Sequence, residues 1–127
     1  MQLLRARDAV MQLFRPHLRA IGLTDQQGRI LRVLSEFDHL EMLELSVRTS
    51  INPASLSRMI PRLHAGGLVR RQKNPQDGRR VRVSITAKGR DVIEPVTRMS
   101  GLIYAEVADT LGAQGMRQLH RSLEALI

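Results

Sequence analysis

The sequence contains no cysteine and no tryptophan. Without cysteine there is no disulfide, no thiolate redox sensor and no Cys-based zinc site. Only Phe14, Phe37 and Tyr104 are aromatic, 2% of 127 residues. Proteins that read RNA or single strands stack bases on aromatic platforms, and three scattered rings do not build one. No apolar run approaches the ~18 residues of a membrane span. The amino end has no uninterrupted apolar segment after its charges, so no secretory leader is expected. These absences point to a soluble, cytoplasmic protein that does not engage membranes. Apolar residues reach 43%, enough for a globular fold rather than a disordered chain. A chain of this length can bury a core without staples, and one domain, 1–127, is expected.

Acids are missing from one stretch in particular. Residues 45–90 hold eleven Lys and Arg and one acid, Asp77, a net +10, while the whole chain carries +8. The remainder holds nine bases and eleven acids and is slightly acidic. The positive charge is therefore concentrated, which is the electrostatic footprint of a nucleic-acid face. Eighteen of the twenty bases are Arg. Arg suits forked recognition of phosphate and guanine, although a GC-rich coding sequence favours it as well.

Periodicity places this charge on defined elements. Leu3, Val10, Leu13, Phe14 and Leu18 recur at helical spacing over residues 3–20. Pro16 is expected to bend that helix or start a new segment. After Gly22, Thr24 suits the N-cap of a second helix through Phe37. A short helix follows over Met42 to Thr49. Asn52 then suits an N-cap and Pro53 the first helical position. The next helix has an apolar stripe at Leu56, Met59, Ile60 and Leu63. Its other face carries Ser55, Ser57, Arg58 and Arg62, and Gly66 and Gly67 end it. Val81, Val83 and Ile85 alternate with Arg82, Ser84 and Thr86, a half-buried strand. Leu68 to Lys73 can pair with it across a turn at Asn74–Gly78. Thr86 caps a long helix to about Thr110, with Pro95 inside it. Leu111-Gly112 is a break, and a last helix carries Met116, Leu119, Leu123 and Leu126 on one face.

The expected fold is mainly α with a small β-hairpin: a winged helix-turn-helix over 24–88, flanked by dimerisation helices over 1–20 and 90–127. The terminal helices bury their apolar faces either against a second copy or against their own core. Two-fold dimers are the commonest oligomers, and reading two half-sites favours the homodimer. In a helix-turn-helix the second helix enters the major groove. Arg58 is then the candidate for a bidentate guanine contact, with plain solvation as its alternative. Ser55 and Ser57 suit phosphate or single-bond base contacts, and Arg62 lies on the same face. At the hairpin tip, Arg79 and Arg80 can enter or flank the minor groove. Asp77 reads either as the partner that holds an Arg in place or as ordinary Asp-Gly turn chemistry.

The residues Gly22-Leu23-Thr24, Gln26-Gln27, Pro53-Ala54-Ser55-Leu56-Ser57-Arg58, Gly67-Leu68-Val69-Arg70-Arg71, Asp77-Gly78-Arg79-Arg80 and Ser84-Ile85-Thr86-Ala87-Lys88-Gly89 together resemble the MarR family of winged-helix repressors. Arg15-Pro16-His17-Leu18, leading into Gly22 to Gln27, resembles its subgroup of homoprotocatechuate degradation operon regulators. The resemblance implies a dimer with recognition helices in adjacent major grooves of double-stranded DNA, wings in minor grooves, and release by small aromatic acids. It gives Asp77 and Arg79 the roles of positioning acid and minor-groove Arg.

Three positions depart from the pattern. Gly28 stands where the subgroup has a large aromatic, near the expected effector site; Gly inside a helix costs about 1 kcal/mol. Pro61 sits in the recognition helix and is expected to kink or shorten it, at roughly 3 kcal/mol if nothing adjusts. Leu43 takes the place of a polar N-cap; with Val47 it forms an outward apolar pair or extra core. Arg15 and His17 are candidates for receiving an effector carboxylate, His17 with an exposed helix histidine as its alternative. The four histidines lack metal-binding spacing, and no phosphate loop or nucleophile elbow is present. No metal, cofactor or catalytic residue is expected. The function implied is a DNA-binding repressor rather than an enzyme; the alternative is a winged-helix protein-interaction module without DNA binding.

Overall fold

The computed structural model describes residues 1–127. The elements run α1 (Gln2–Ala20), α2 (Asp25–Leu34), β1 (Leu40–Glu41), α3 (Met42–Thr49), α4 (Pro53–Ala65), β2 (Val69–Lys73), β3 (Val81–Ile85) and α5 (Ala87–Leu126). This is a winged helix-turn-helix between two long terminal helices. The sheet is antiparallel in the order β1-β3-β2. Val69 faces Ile85 and Lys73 faces Val81, so the hairpin register follows the alternation of apolar residues.

Local chemistry explains most boundaries. The Thr24 hydroxyl accepts from the Gln27 N–H at 3.2 Å, and the Gln27 side chain accepts from the Thr24 N–H at 3.0 Å. This reciprocal capping box starts α2. Asn52 accepts from the Ser55 N–H at 2.8 Å with Pro53 in the first turn, as expected for α4. Thr86 accepts from the Gly89 N–H and donates to the Gly67 carbonyl, tying the start of α5 to the end of the α4 loop. Within α5, Gly112 adopts φ +75°, ψ 164°, which breaks the helix where the sequence placed a break.

The structure corrects several expectations. α2 ends at Leu34, three residues before Phe37. β1 was not anticipated: two residues carry no periodicity, and Leu40 and Glu41 become a strand only by pairing with Val83 and Arg82. The N-cap of α3 is Glu41, not Leu43; Glu41 and Glu44 form its capping box. The helices α1, α4 and α5 run on past Pro16, Pro61 and Pro95. All three prolines are exposed, as are Gln12, Ser57 and Asp91, whose carbonyls lose the i+4 donor. Each freed carbonyl belongs to an exposed residue, so water can donate to it in place of the lost N–H and the helix survives.

One core of seventeen buried apolar residues holds these elements together. It takes Phe14 and Leu18 from α1, Ile30, Leu31 and Leu34 from α2, and Ile93, Val96 and Ile103 from α5. The proximal parts of the terminal helices thus complete the chain's own core. After Ile103 no residue is buried. Leu102, Leu111, Leu119 and Leu126 are exposed on α5, as are Leu3, Leu4 and Leu13 on α1. The N-terminal stripe expected to face a partner is therefore divided, with Phe14 turned inward and Leu13 outward.

Candidate nucleic-acid interface and ligand cavity

The turn between α3 and α4 is braced from within. Ser46 donates to the Ile51 carbonyl at 2.6 Å and the Thr49 hydroxyl donates to the Leu45 carbonyl at 2.6 Å. Thr49 also accepts from the Ile51 N–H at 3.3 Å. Between them Ser50 is left-handed, φ 56°, an uncommon conformation for a non-glycine residue. The buried stripe Leu56, Ile60 and Leu63 fixes the rotation of α4. Ser57, Arg58 and Arg62 are consequently exposed, with Ser55 half-buried beside them. Arg58 lies 3.4 Å from the Ser55 hydroxyl and has no acid partner, so its guanidinium is available.

The hairpin adds exposed Arg70, Arg71, Lys73, Arg79 and Arg80. Its loop is closed by the Asn74 N–H donating to the Arg80 carbonyl at 2.7 Å. Asp77 makes no ion pair. Its carboxylate accepts from the Arg79 backbone N–H at 3.0 Å, so it shapes the turn and does not hold an Arg side chain. The acid that does so is Glu41. Its carboxylate lies 2.6 Å from Arg80 and accepts from the Asn74 amide at 3.2 Å. Sequence reading missed it because Glu41 and Arg80 are 39 residues apart. Leu43 and Val47 form the outward apolar pair, 73% and 80% exposed.

A cavity of about 200 Å³ lies between α1, α2 and α5. Phe14, Leu18, Val96 and Tyr104 line it, with Asp25, Gly28, Arg29 and Arg32. Phe14 and Tyr104 meet edge to face at 5.8 Å, and the Arg32 guanidinium lies over Phe14 at 5.1 Å. Neither Arg29 nor Arg32 makes a salt bridge, and Arg29 donates to the Thr49 carbonyl at 2.9 Å. Burial first, then the nearby Arg7, lowers the pKa of Arg29, while Asp25 opposes them. An arginine desolvated without a carboxylate partner is a place where an anion is favoured.

The expected ligand residues separate here. Gly28 lines the cavity, and a Cβ there would meet Leu18 Cδ2 at 2.4 Å, so Leu18 takes the space of a larger side chain. Arg15 is already engaged by Asp8 at 2.7 Å and Asp25 at 3.1 Å, which raise its pKa. His17 does not line the cavity. The cations at the cavity are Arg29 and Arg32, one and two turns inside α2, on the face that the helical period turns toward α1.

Comparison with known proteins places this architecture. A profile described as MarR family matches residues 21–80. The homoprotocatechuate degradative operon repressor of Escherichia coli is 34% identical over 125 residues, covering 98% of this chain and 84% of that protein. The crystal structure of NadR in complex with 4-hydroxyphenylacetate is similar with TM-score 0.86 and 36% identity, over 98% of this chain and 89% of that one. A MarR mutant from Escherichia coli complexed with operator DNA is similar with TM-score 0.81 and 26% identity, over 100% of this chain and 94% of that one. The chain belongs to the MarR family of helix-turn-helix transcriptional regulators.

Proposed function

We propose that this chain is a homodimeric repressor that holds a double-stranded operator through α4 and the hairpin and releases it when a small aromatic carboxylate enters the cavity. The observation that carries the DNA half is the capped helix α4, whose unpaired Arg58 and Arg62 stand next to a hairpin of exposed arginines. In this reading Arg58 pairs with a guanine in the major groove. Ser55, Ser57 and Arg62 bond to the backbone or to single base edges. Arg79 enters the minor groove, Arg80 flanks it, and Asp77 shapes the turn that presents both. The MarR mutant bound to operator DNA supports this arrangement by its similarity. The exposed leucines of α1 and the distal part of α5 support the dimer, whose two recognition helices read two half-sites.

The two uncompensated arginines beside an aromatic-lined cavity support the effector half. A ring fits against Phe14 and Tyr104, and its carboxylate meets Arg29 or Arg32 rather than Arg15 or His17. Arg29 also braces the Thr49 carbonyl at the end of α3. A carboxylate that draws Arg29 away removes a support of the helix-turn-helix turn, and that loosens the seating of α4. The 4-hydroxyphenylacetate in NadR makes it the first probe; Gly28 alters the cavity wall, so benzoates and cinnamates belong in the same panel.

Duplexes selected from a random pool should shift with the protein, and one of these acids should release them. Arg32→Met should keep DNA binding and lose the release. If no duplex is selected, the protein-interaction reading replaces this one. Release undiminished in both Arg32→Met and Arg29→Met would move the effector site elsewhere.

A further inference from the structure

Every acid near a DNA face weakens it by simple counterion counting, yet Glu41 sits at the base of the basic hairpin. Its surroundings explain why. Nε and Nη2 of Arg80 both lie 2.6 Å from Glu41 Oε2. Asn74 Nδ2 donates to Oε1 at 3.2 Å. At the start of α3 the Glu41 backbone N–H donates to the Glu44 carboxylate at 3.3 Å. Asn74 and Arg80 are the two ends of the hairpin loop, and Asn74 is one of only two buried polar residues. Arg82 stands opposite Glu41 in the strand pairing, but its Nε has no partner. The carboxylate reaches past its nearest strand neighbour to the loop.

We propose that Glu41 is a positioning residue for DNA binding: it clasps both ends of the hairpin loop to the start of the helix-turn-helix and so orders the wing before DNA arrives. This rests on the reading that the hairpin touches DNA. The clasp occupies the Nε–Nη2 edge of Arg80 and leaves Nη1 without a protein partner on a side chain that is 59% exposed. A guanidinium held in this way has already lost the rotamer freedom that a phosphate contact must otherwise remove. One carboxylate thus sets the wing relative to α3, and α3 is fixed to α4 through the Thr49 turn.

The test measures affinity for a duplex selected by the wild type, by fluorescence anisotropy, with amide exchange as a second reading. Glu41→Gln removes the charge. Glu41→Asp keeps a carboxylate able to cap α3 but is too short to span to Arg80. Each should bind about tenfold more weakly, although Glu41→Gln makes the chain more positive. Exchange should quicken over residues 74–80 and stay unchanged over 53–65. In an Arg80→Ala background, Glu41→Gln should cost less than about threefold, because the shared partner is gone. A role as helix cap alone predicts no loss in Glu41→Asp. Binding by either variant as tight as wild type overturns the clasp, and so does a loss without faster exchange at 74–80. Arg79→Ala separates the two readings. If it weakens binding while the Glu41 variants do not, only the clasp fails. If neither changes binding, the wing reading fails with it.

Discussion

The basic stretch 45–90 and the terminal helices treat their surfaces in opposite ways. The first exposes arginine and buries or half-buries its large apolar residues, with Val47 the exception. The second exposes leucine along α1 and the distal part of α5 and carries little net charge. A charged face is stable in water alone and waits for a polyanion. An apolar face of this extent is not, and marks a contact with another protein surface. The two proposed partners, DNA and a second copy of the chain, would thus be met by different chemistry on different elements, joined by one core. The candidate ligand cavity lies outside the basic stretch, between α2 and the terminal helices α1 and α5.

The largest expected effect breaks the apolar side. Leu123→Asp places an unpaired charge in the proposed interface, which costs several kcal/mol. Sedimentation should then find monomer or unfolded chain; a folded dimer would move the interface off the last helix. The second prediction probes the charged side. If about six phosphates are neutralised per dimer, log affinity falls against log salt with slope near −5, about a thousandfold from 50 to 200 mM. Dimerisation, measured in the same buffers, should change little, because burial of leucine is not screened. Equal salt responses would dissolve the distinction between the two faces. Arg58→Ala is smaller: about 1–3 kcal/mol on the preferred site, with relaxed choice at one base pair. A uniform loss over single-base variants makes Arg58 a phosphate contact instead. Smallest is Asn52→Ala, which removes the cap of α4 and costs about 1 kcal/mol of stability. It should lower DNA affinity slightly and leave sedimentation unchanged.

Elements with a local cause were legible in the chain. Thr24, Asn52 and Thr86 announce helix starts because a cap needs only the next three residues. The hairpin showed through its alternation and turn residues, and Gly112 through its freedom at positive φ. The misreadings share one feature, dependence on distant partners. Pro61 looked disruptive, but the carbonyl it leaves without a donor belongs to exposed Ser57. Asp77 looked like the acid of the wing because it is close in sequence, while Glu41 arrives through β1. Arg15 was a candidate for an effector carboxylate, but Asp8 and Asp25 converge on it.

The sequence by itself determined the class of molecule: where charge accumulates, which helix faces solvent, and how the recognition helix begins. These follow from period, capping and composition, which act over a few residues. Only the tertiary structure decided which arginines are free. Arg15 and Arg80 are held by acids and Arg29 and Arg32 are not, because an ion pair depends on distances across the fold that no spacing along the chain records.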